Sequence, residues 1–312
     1  MKQEEIEKYS QIIYNLSGKE SIESEVISNN IVSDYYSKSA FFYKKFHSKE
    51  GAMHLPISFS DKDSHASKLL YQANSIHDLI NANGFTKVLE LGCGMGFNSN
   101  YLASKNPEVS FTGIDLTLNN IKEASKNAKE LNNVNYKQMD FDALNELEEQ
   151  YDLVFAVETL CHSKDVAQVI ANISEKLSSN GKIIIYDGYV RPDAIPLSNS
   201  WDIQAYQLLS WGFAMNEFQD LGTLQSSQKI QHLNFEEIKD YSVNVLPNYQ
   251  AFQRGAIKAF RYPRLLKFML KTRIISLALI KQMSAGLFGP YLIKKEYLGY
   301  YKIVLCKKID LN

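Results

Sequence analysis

Cysteine is scarce: Cys93, Cys161 and Cys306 are the only three in 312 residues. They stand too far apart for zinc-ligand spacing or a disulfide framework, so a reducing, cytoplasmic setting is expected. Long apolar runs are also missing. The longest, Ile274–Ile280, is interrupted by Ser276 and falls far short of a bilayer span. The opening MKQEEIEKYSQIIYN has no basic segment followed by an apolar stretch, so no secretory signal is expected. No Asp-Asp-x-x-Asp cluster occurs, so no metal is expected. Internal repeats and low-complexity tracts are absent.

Acidic residues are missing from one long stretch. Between Tyr241 and Lys295 there are ten cations and no Asp or Glu, in a chain whose formal net charge is −1. The remainder is therefore eleven net negative, and the charge is segregated. Within this stretch RYPRLLKFMLKTRIISLALIKQM resembles an interfacial amphipathic helix. Residues 254–295 are thus candidates to meet an anionic membrane, an anionic substrate head or an acidic carrier protein; the plainer role is a solvated helix face. Nucleic acid is disfavoured, because no RNA-binding module is present and the acidic remainder repels a polyanion.

What is present is an ordinary globular composition, 45% hydrophobic and 22% charged. Residues 1–80 carry helical spacing at Ile6, Ile12, Ile13 and Leu16, and again at Leu69, Leu70, Ile76 and Ile80. From Thr86 the period changes. KVLELG, VSFTGIDL, NVNYKQMD, YDLVFAVE and GKIIIYDG read as buried strands separated by helices, which predicts βαβ units and a parallel sheet. The expected fold is α/β: a doubly wound, mostly parallel seven-stranded sheet with an N-terminal helical cap and a later insertion cap. The expected boundaries are 1–80 for an aromatic helical cap, 81–190 for the core, 191–296 for lid and cap insertions that include strand six, and 297–312 for the last strand. Residues 190–228 hold both tryptophans, Trp201 and Trp211, and read as a lid. LQSSQKIQHLN is predicted helical, FEEIKDYSVNV a strand, and the helix after the fourth strand is predicted to reach Asn180-Gly181.

The chemistry-bearing motif is Glu90-Leu91-Gly92-Cys93-Gly94-Met95-Gly96-Phe97, at the end of the first core strand. Gly92 and Gly94 let backbone approach a ligand, and the helix behind them offers free N–H groups. A dinucleotide turn needs a third glycine where Phe97 stands. The spacing Gly92-x-Gly94-x-Gly96, with Glu90 two residues ahead, instead resembles motif I of the class I S-adenosylmethionine (SAM)-dependent methyltransferases. Asp115 closes the second strand, Asp140 and Phe141 follow the third, and the fourth opens with a Tyr-Asp pair. Each acid also has a simpler role open to it, as a helix cap.

The resemblance implies SAM as cofactor, with S-adenosylhomocysteine as product. It places Tyr36, Glu90, Gly92, Gly94, Gly96, Asp115, Leu116, Asp140, Phe141 and Val157 around it. The segment VETLCHSKD resembles the one after strand four in sterol and related lipid C-methyltransferases, which makes Glu158 and His162 the candidate catalytic residues. Tyr43, His54, Trp201 and Trp211 are candidate acceptor contacts. Nineteen tyrosines and sixteen phenylalanines lie largely outside the strands, and aromatic faces suit a prenyl, fatty-acyl or polyketide acceptor methylated at carbon. Two alternatives stay open: an O- or N-methyltransferase with His162 as base, and a SAM-binding scaffold without turnover.

Overall fold

Short apolar strand runs begin after Lys87, and in the computed structural model they assemble into one seven-stranded sheet. The structure describes residues 1–42, 44 and 47–308. Along the chain come α1 (Gln3–Ser17), α2 (Lys19–Ser24), α3 (Asn29–Phe42), α4 (His65–Leu69), α5 (Tyr71–Asn83), β1 (Lys87–Leu91), α6 (Phe97–Lys105), β2 (Ser110–Asp115), α7 (Leu118–Asn127), β3 (Val134–Gln138), β4 (Tyr151–Val157), α8 (Val166–Glu175) and β5 (Leu177–Val190). There follow α9 (Ser200–Gly212), α10 (Leu221–Ser226), β6 (Leu233–Asp240), α11 (Ser242–Phe260), α12 (Pro263–Lys271), α13 (Leu277–Lys294) and β7 (Leu298–Lys307).

The strand order is β3-β2-β1-β4-β5-β7-β6, with β7 antiparallel to both of its neighbours and the other pairs parallel. Successive residues face opposite layers, as the pleat requires. On β5, Ile183 and Ile185 enter the layer under α8 and α10, while Ile184 and Tyr186 enter the layer under α5 and α6. Both faces are covered, which is why the central strands read as unbroken apolar runs. Helix α8 shows how the layers are built. Asp165 caps it by accepting from Gln168 N–H at 2.9 Å, and Val166, Val169, Ile170 and Ile173 bury the stripe that follows. The chain winds outward from β1 through β2 and β3, then returns to place β4 on the other side. Open α/β sheets bind ligands at such a reversal, beyond the strands' carboxyl ends.

The caps share one core. Ile6, Tyr9 and Ile13 of α1 pack with Leu208 and Trp211 of α9 and with Phe288 and Leu292 of α13. Helices α11 and α13 approach closely at Gly289, where an added Cβ would lie 2.0 Å from the ring of Tyr249. Two of the ten cations in the acid-free stretch are tied inward. Lys281 pairs with Glu25 at 2.5 Å, and Lys295 pairs with Asp202, which also accepts from Tyr291.

Local expectations shift in several places. Helix α8 stops at Glu175 and β5 begins at Leu177, because the extended chain there pairs with Tyr151. The Ser242-Val243-Asn244-Val245 run opens α11 rather than extending β6, since Val245 turns into the core beside α5. Of the helix expected over 224–234, only the end of α10 and a single 3-10 turn form, and Leu233 already opens β6. Helix α5 packs on the sheet through Ile76 and Ile80, so this part of the 1–80 segment belongs to the core layer. The basic stretch is broken between α12 and α13, and most of α13 is buried. No helix among the described residues is long and apolar enough to cross a membrane.

Candidate active site

The turn after β1 runs through three glycines with positive φ: Gly92 at 63°, Gly94 at 53° and Gly96 at 80°. At Gly92 the reason is also steric. A Cβ there would sit 2.4 Å from the side chain of Thr159, whose hydroxyl donates to the Leu91 carbonyl at 3.1 Å. The turn after β1 thus lies directly against the turn after β4. Gly94 is open on its cleft side, where a Cβ would meet only Met53 Sδ at 3.5 Å.

Glu90 is 2% exposed and anchors this turn to α6. Its carboxylate accepts from the Asn98 side chain and the Ser99 N–H, each at 3.2 Å, and from the Ser99 hydroxyl. Burial pushes its pKa up to about 8. Asp115, at the end of β2, accepts from Gly94 N–H at 2.9 Å, Thr117 N–H at 2.8 Å and the Asn120 amide at 3.1 Å; burial raises its pKa against these bonds. Asp140 caps the turn after β3 through Asp142 N–H at 3.0 Å and receives the Asn29 amide from α3. Asp140 therefore bonds as a cap, whereas Asp115 lies two residues before Thr117, the N-cap of α7, and ties the glycine turn instead; both line the cleft.

That cleft holds about 900 Å³ out to its open mouth. It brings together Tyr36, His54, Glu90, Gly92, Gly94, Asp115, Leu116, Asp140, Phe141, Val157, Glu158 and His162. Gly96 is not in its lining. Gly96 precedes α6, and a Cβ there would meet the Tyr136 hydroxyl at 2.7 Å, so its place is explained by packing. Asn29, Val32, Thr117 and Asn120 also line the cleft and were not anticipated. The spacing of 29, 32 and 36 along one face of α3 was the available signal.

Beyond β4, Glu158 has φ 51°, an unusual conformation for a residue with a Cβ. Its carboxylate accepts from Leu55 N–H at 2.6 Å and from the Tyr300 hydroxyl at 2.9 Å. Burial, helped by the negative charge of Asp187, pushes its pKa up to about 8. His162 Nε2 lies 2.8 Å from the Tyr36 hydroxyl, and burial holds its pKa down at about 4. Asp187, 3% exposed, accepts from Cys161 N–H at 3.0 Å and Gly188 N–H at 2.9 Å; burial raises its pKa to about 6. Asp187 and Tyr300 were both missed, although an acid closing the apolar IIIYDG strand, as Glu158 follows the fourth, was visible.

These groups wall a second cavity of about 640 Å³. Tyr36, Met53, Glu158 and His162 border both spaces, and Phe213, Phe218, Tyr249 and Leu298 close the far side. A third cavity of about 1510 Å³ continues between α11, α12 and α13, sharing Met53, Leu55, Glu158, Phe213 and Tyr249 with the second. His54 lines the first and third while bonding the Leu69 carbonyl at 2.9 Å. The tryptophans are elsewhere. Trp211 is 6% exposed beneath Lys281 and Trp201 packs in the cap core, because α9 turns both toward the cap core. Tyr43 lies outside the described residues.

The residues present fit SAM. The Gly94 side of the turn leaves a cradle that a side chain would enter, Phe97 and Asn98 at the start of α6 line it, and the half-buried carboxyls of Asp115 and Asp140 stand at the ends of β2 and β3. Fold and cleft have the layout of an α/β methyltransferase domain. The chain belongs to the methyltransferase domain family, whose profile matches residues 83–239.

Curated relatives include phosphoethanolamine N-methyltransferase 3 of Arabidopsis thaliana, 28% identical over 162 residues, which are 52% of this chain and 31% of the relative. The malonyl-[acyl-carrier protein] O-methyltransferase of Bacillus anthracis is 34% identical over 103 residues, covering 33% of this chain and 38% of the relative. The chain thus spans about a third of the length of these relatives. Among solved structures, a cyclopropane synthase from Mycobacterium tuberculosis superposes with TM-score 0.73 at 11% identity, covering 91% of this chain and all of that one. The geranyl diphosphate C-methyltransferase of Streptomyces coelicolor A3(2) gives 0.62 at 12% identity, with 90% and 98% covered. At such identities the likeness is one of fold.

Proposed function

We propose that this chain methylates a small lipophilic acceptor of prenyl, fatty-acyl or polyketide type, at carbon, in the aromatic cavity beside the glycine turn. SAM supplies an electrophilic methyl group when bound. Gly92, Gly94, Asp115, Asp140 and Phe141 would hold it, and Tyr36 and Met53 would exclude water from the shared wall.

The observation that carries this reading is the pair Glu158 and Asp187. Both carboxyls face an apolar, ring-lined cavity, and neither has a salt bridge among the described residues. An alkene that gains a methyl becomes a cation. Carboxylates and the faces of Phe213, Tyr249 and Tyr300 lower the energy of that charge. Closure of the product requires loss of a proton, and Glu158, with its pKa near 8, is matched to accept it. His162 is the weaker base, being held near 4 and bonded to Tyr36.

A second reading has support from the same pair: a lipophilic amine would bring its own cation to these carboxyls, and some curated relatives are N-methyltransferases. Turnover with methyl-labelled SAM and a cell lipid extract separates the two. A labelled product carrying a new C–CH₃ supports the first reading, a new N–CH₃ selects the second, and label found only in water-soluble products removes both.

A further inference from the structure

The third cavity shares a helix with the surface. Met269 of α12 lines it, and Leu266, one turn back, is buried in the cap core. The other flank of the same helix is bare. Tyr262, Leu265 and Phe268 recur at three-residue spacing and are 64%, 54% and 58% exposed, and Ile274, in the following turn, is 61% exposed. Large apolar side chains held in water this way mark an interaction surface.

The turn is built to present them. Arg273 takes a left-handed φ of 58°, and Ile274 N–H bonds the Met269 carbonyl at 2.9 Å. This stops α12 and throws Ile274 outward beside the helix end. Around the apolar stripe stand Arg261, Arg264, Lys267, Lys271 and Arg273, all exposed. None of them has a salt bridge among the described residues, even though α1, which packs on α12, carries Glu4, Glu5 and Glu7. In the acid-free stretch, then, Lys281 of α13 and Lys295 just beyond it are neutralised, and the cations of α12 are left for a partner.

The geometry points to α12 and the 272–276 turn as an anchor that docks on an anionic lipid membrane. The apolar side chains enter the acyl boundary and the cations engage the headgroups, as interfacial helices do. The cavity walled by Met269 then lies just behind the docked surface, so a lipid-borne acceptor reaches Glu158 without crossing water. Docking needs no turnover, so its failure and failure of the proposed chemistry are distinguishable.

The test is co-sedimentation of the whole protein with phosphatidylcholine vesicles, with and without phosphatidylglycerol. Binding to the anionic vesicles, weakened by added salt and near zero on neutral ones, is expected. Lys267→Ala with Lys271→Ala should weaken it on the order of thirtyfold, about fivefold per cation. Leu265→Ser with Phe268→Ser should weaken it comparably. Unchanged SAM affinity in calorimetry shows that these exposed variants remain folded. Equal binding to both vesicles, none to either, or binding unaltered in both folded variants overturns the proposal. Capture of an acidic carrier protein without vesicle binding overturns it as well.

Discussion

The hydroxyl of Tyr300 on β7 donates a 2.9 Å hydrogen bond to the carboxylate of Glu158, which stands at the end of β4 two strands away. The reversed strand thereby reaches over β5 to hold the one acid, among the described residues, that borders all three spaces. Tyr300→Phe removes this bond and leaves the ring. We expect kcat to fall roughly ten- to hundredfold, at about 1.5–3 kcal/mol for one hydrogen bond to a charged group, with SAM affinity unchanged.

Glu158→Gln keeps shape and removes the proton acceptor. Loss of about 10²–10⁴ in kcat is expected, the usual worth of a positioned base. In the parent enzyme the rate should rise with pH and level off above about 8, as Glu158 ionises. A pH–rate profile rising instead through 4 would move the base to His162.

Asp115→Ala should abolish SAM binding in calorimetry. Asp115 accepts from Gly94 N–H and faces the cleft, so both the turn and the site lose a partner. Retained affinity with an intact fold would remove Asp115 from the cofactor site.

Gly92→Ala drives a Cβ to 2.4 Å from Thr159 at a backbone conformation that disfavours alanine. A cost of roughly 2 kcal/mol or more is expected from strain and overpacking together. Pairing it with Thr159→Gly should recover part of that loss in urea unfolding and leave the backbone strain.

Stability should decline as pH rises from about 6.5 to 8. The pKa values of Glu90 and Glu158 are raised to about 8 in the folded protein, so the native state holds protons that the unfolded chain has already released. Each carboxyl then removes up to roughly 1.4 kcal/mol per pH unit. Below about 6.5 the depressed pKa values of His54 and His162 oppose this trend. Glu90→Gln should flatten the slope in urea titrations at several pH values; an unchanged slope would argue against the raised pKa.

The core was legible because its signals are local. Strand runs, the glycine turn and the acids ending β2 and β3 each occupy a few consecutive residues, and a parallel sheet fixes where their ends meet. Asp187 and Tyr300 were not found because their importance comes from strand order, which sets β7 beside β5. The tryptophans misled for a related reason. An aromatic lid and an aromatic cap core have the same composition, and only packing against α13 separates them. Residues 261–283 read as an interfacial amphipathic helix, and the whole basic stretch as open to a partner, since nothing near Lys281 or Lys295 announces that Glu25 and Asp202 will neutralise them from distant segments.

The contact between Gly92 and Thr159 has a consequence for how this enzyme can diverge. The turn after β1 and the turn after β4 are interlocked, with no slack between Gly92 and Thr159. New acceptor preferences would therefore arise more readily among the cap helices, around Phe213, Tyr249 and Met269, than within residues 158–162. In the inner loops, an exchange at one position would demand a matched exchange across the seam.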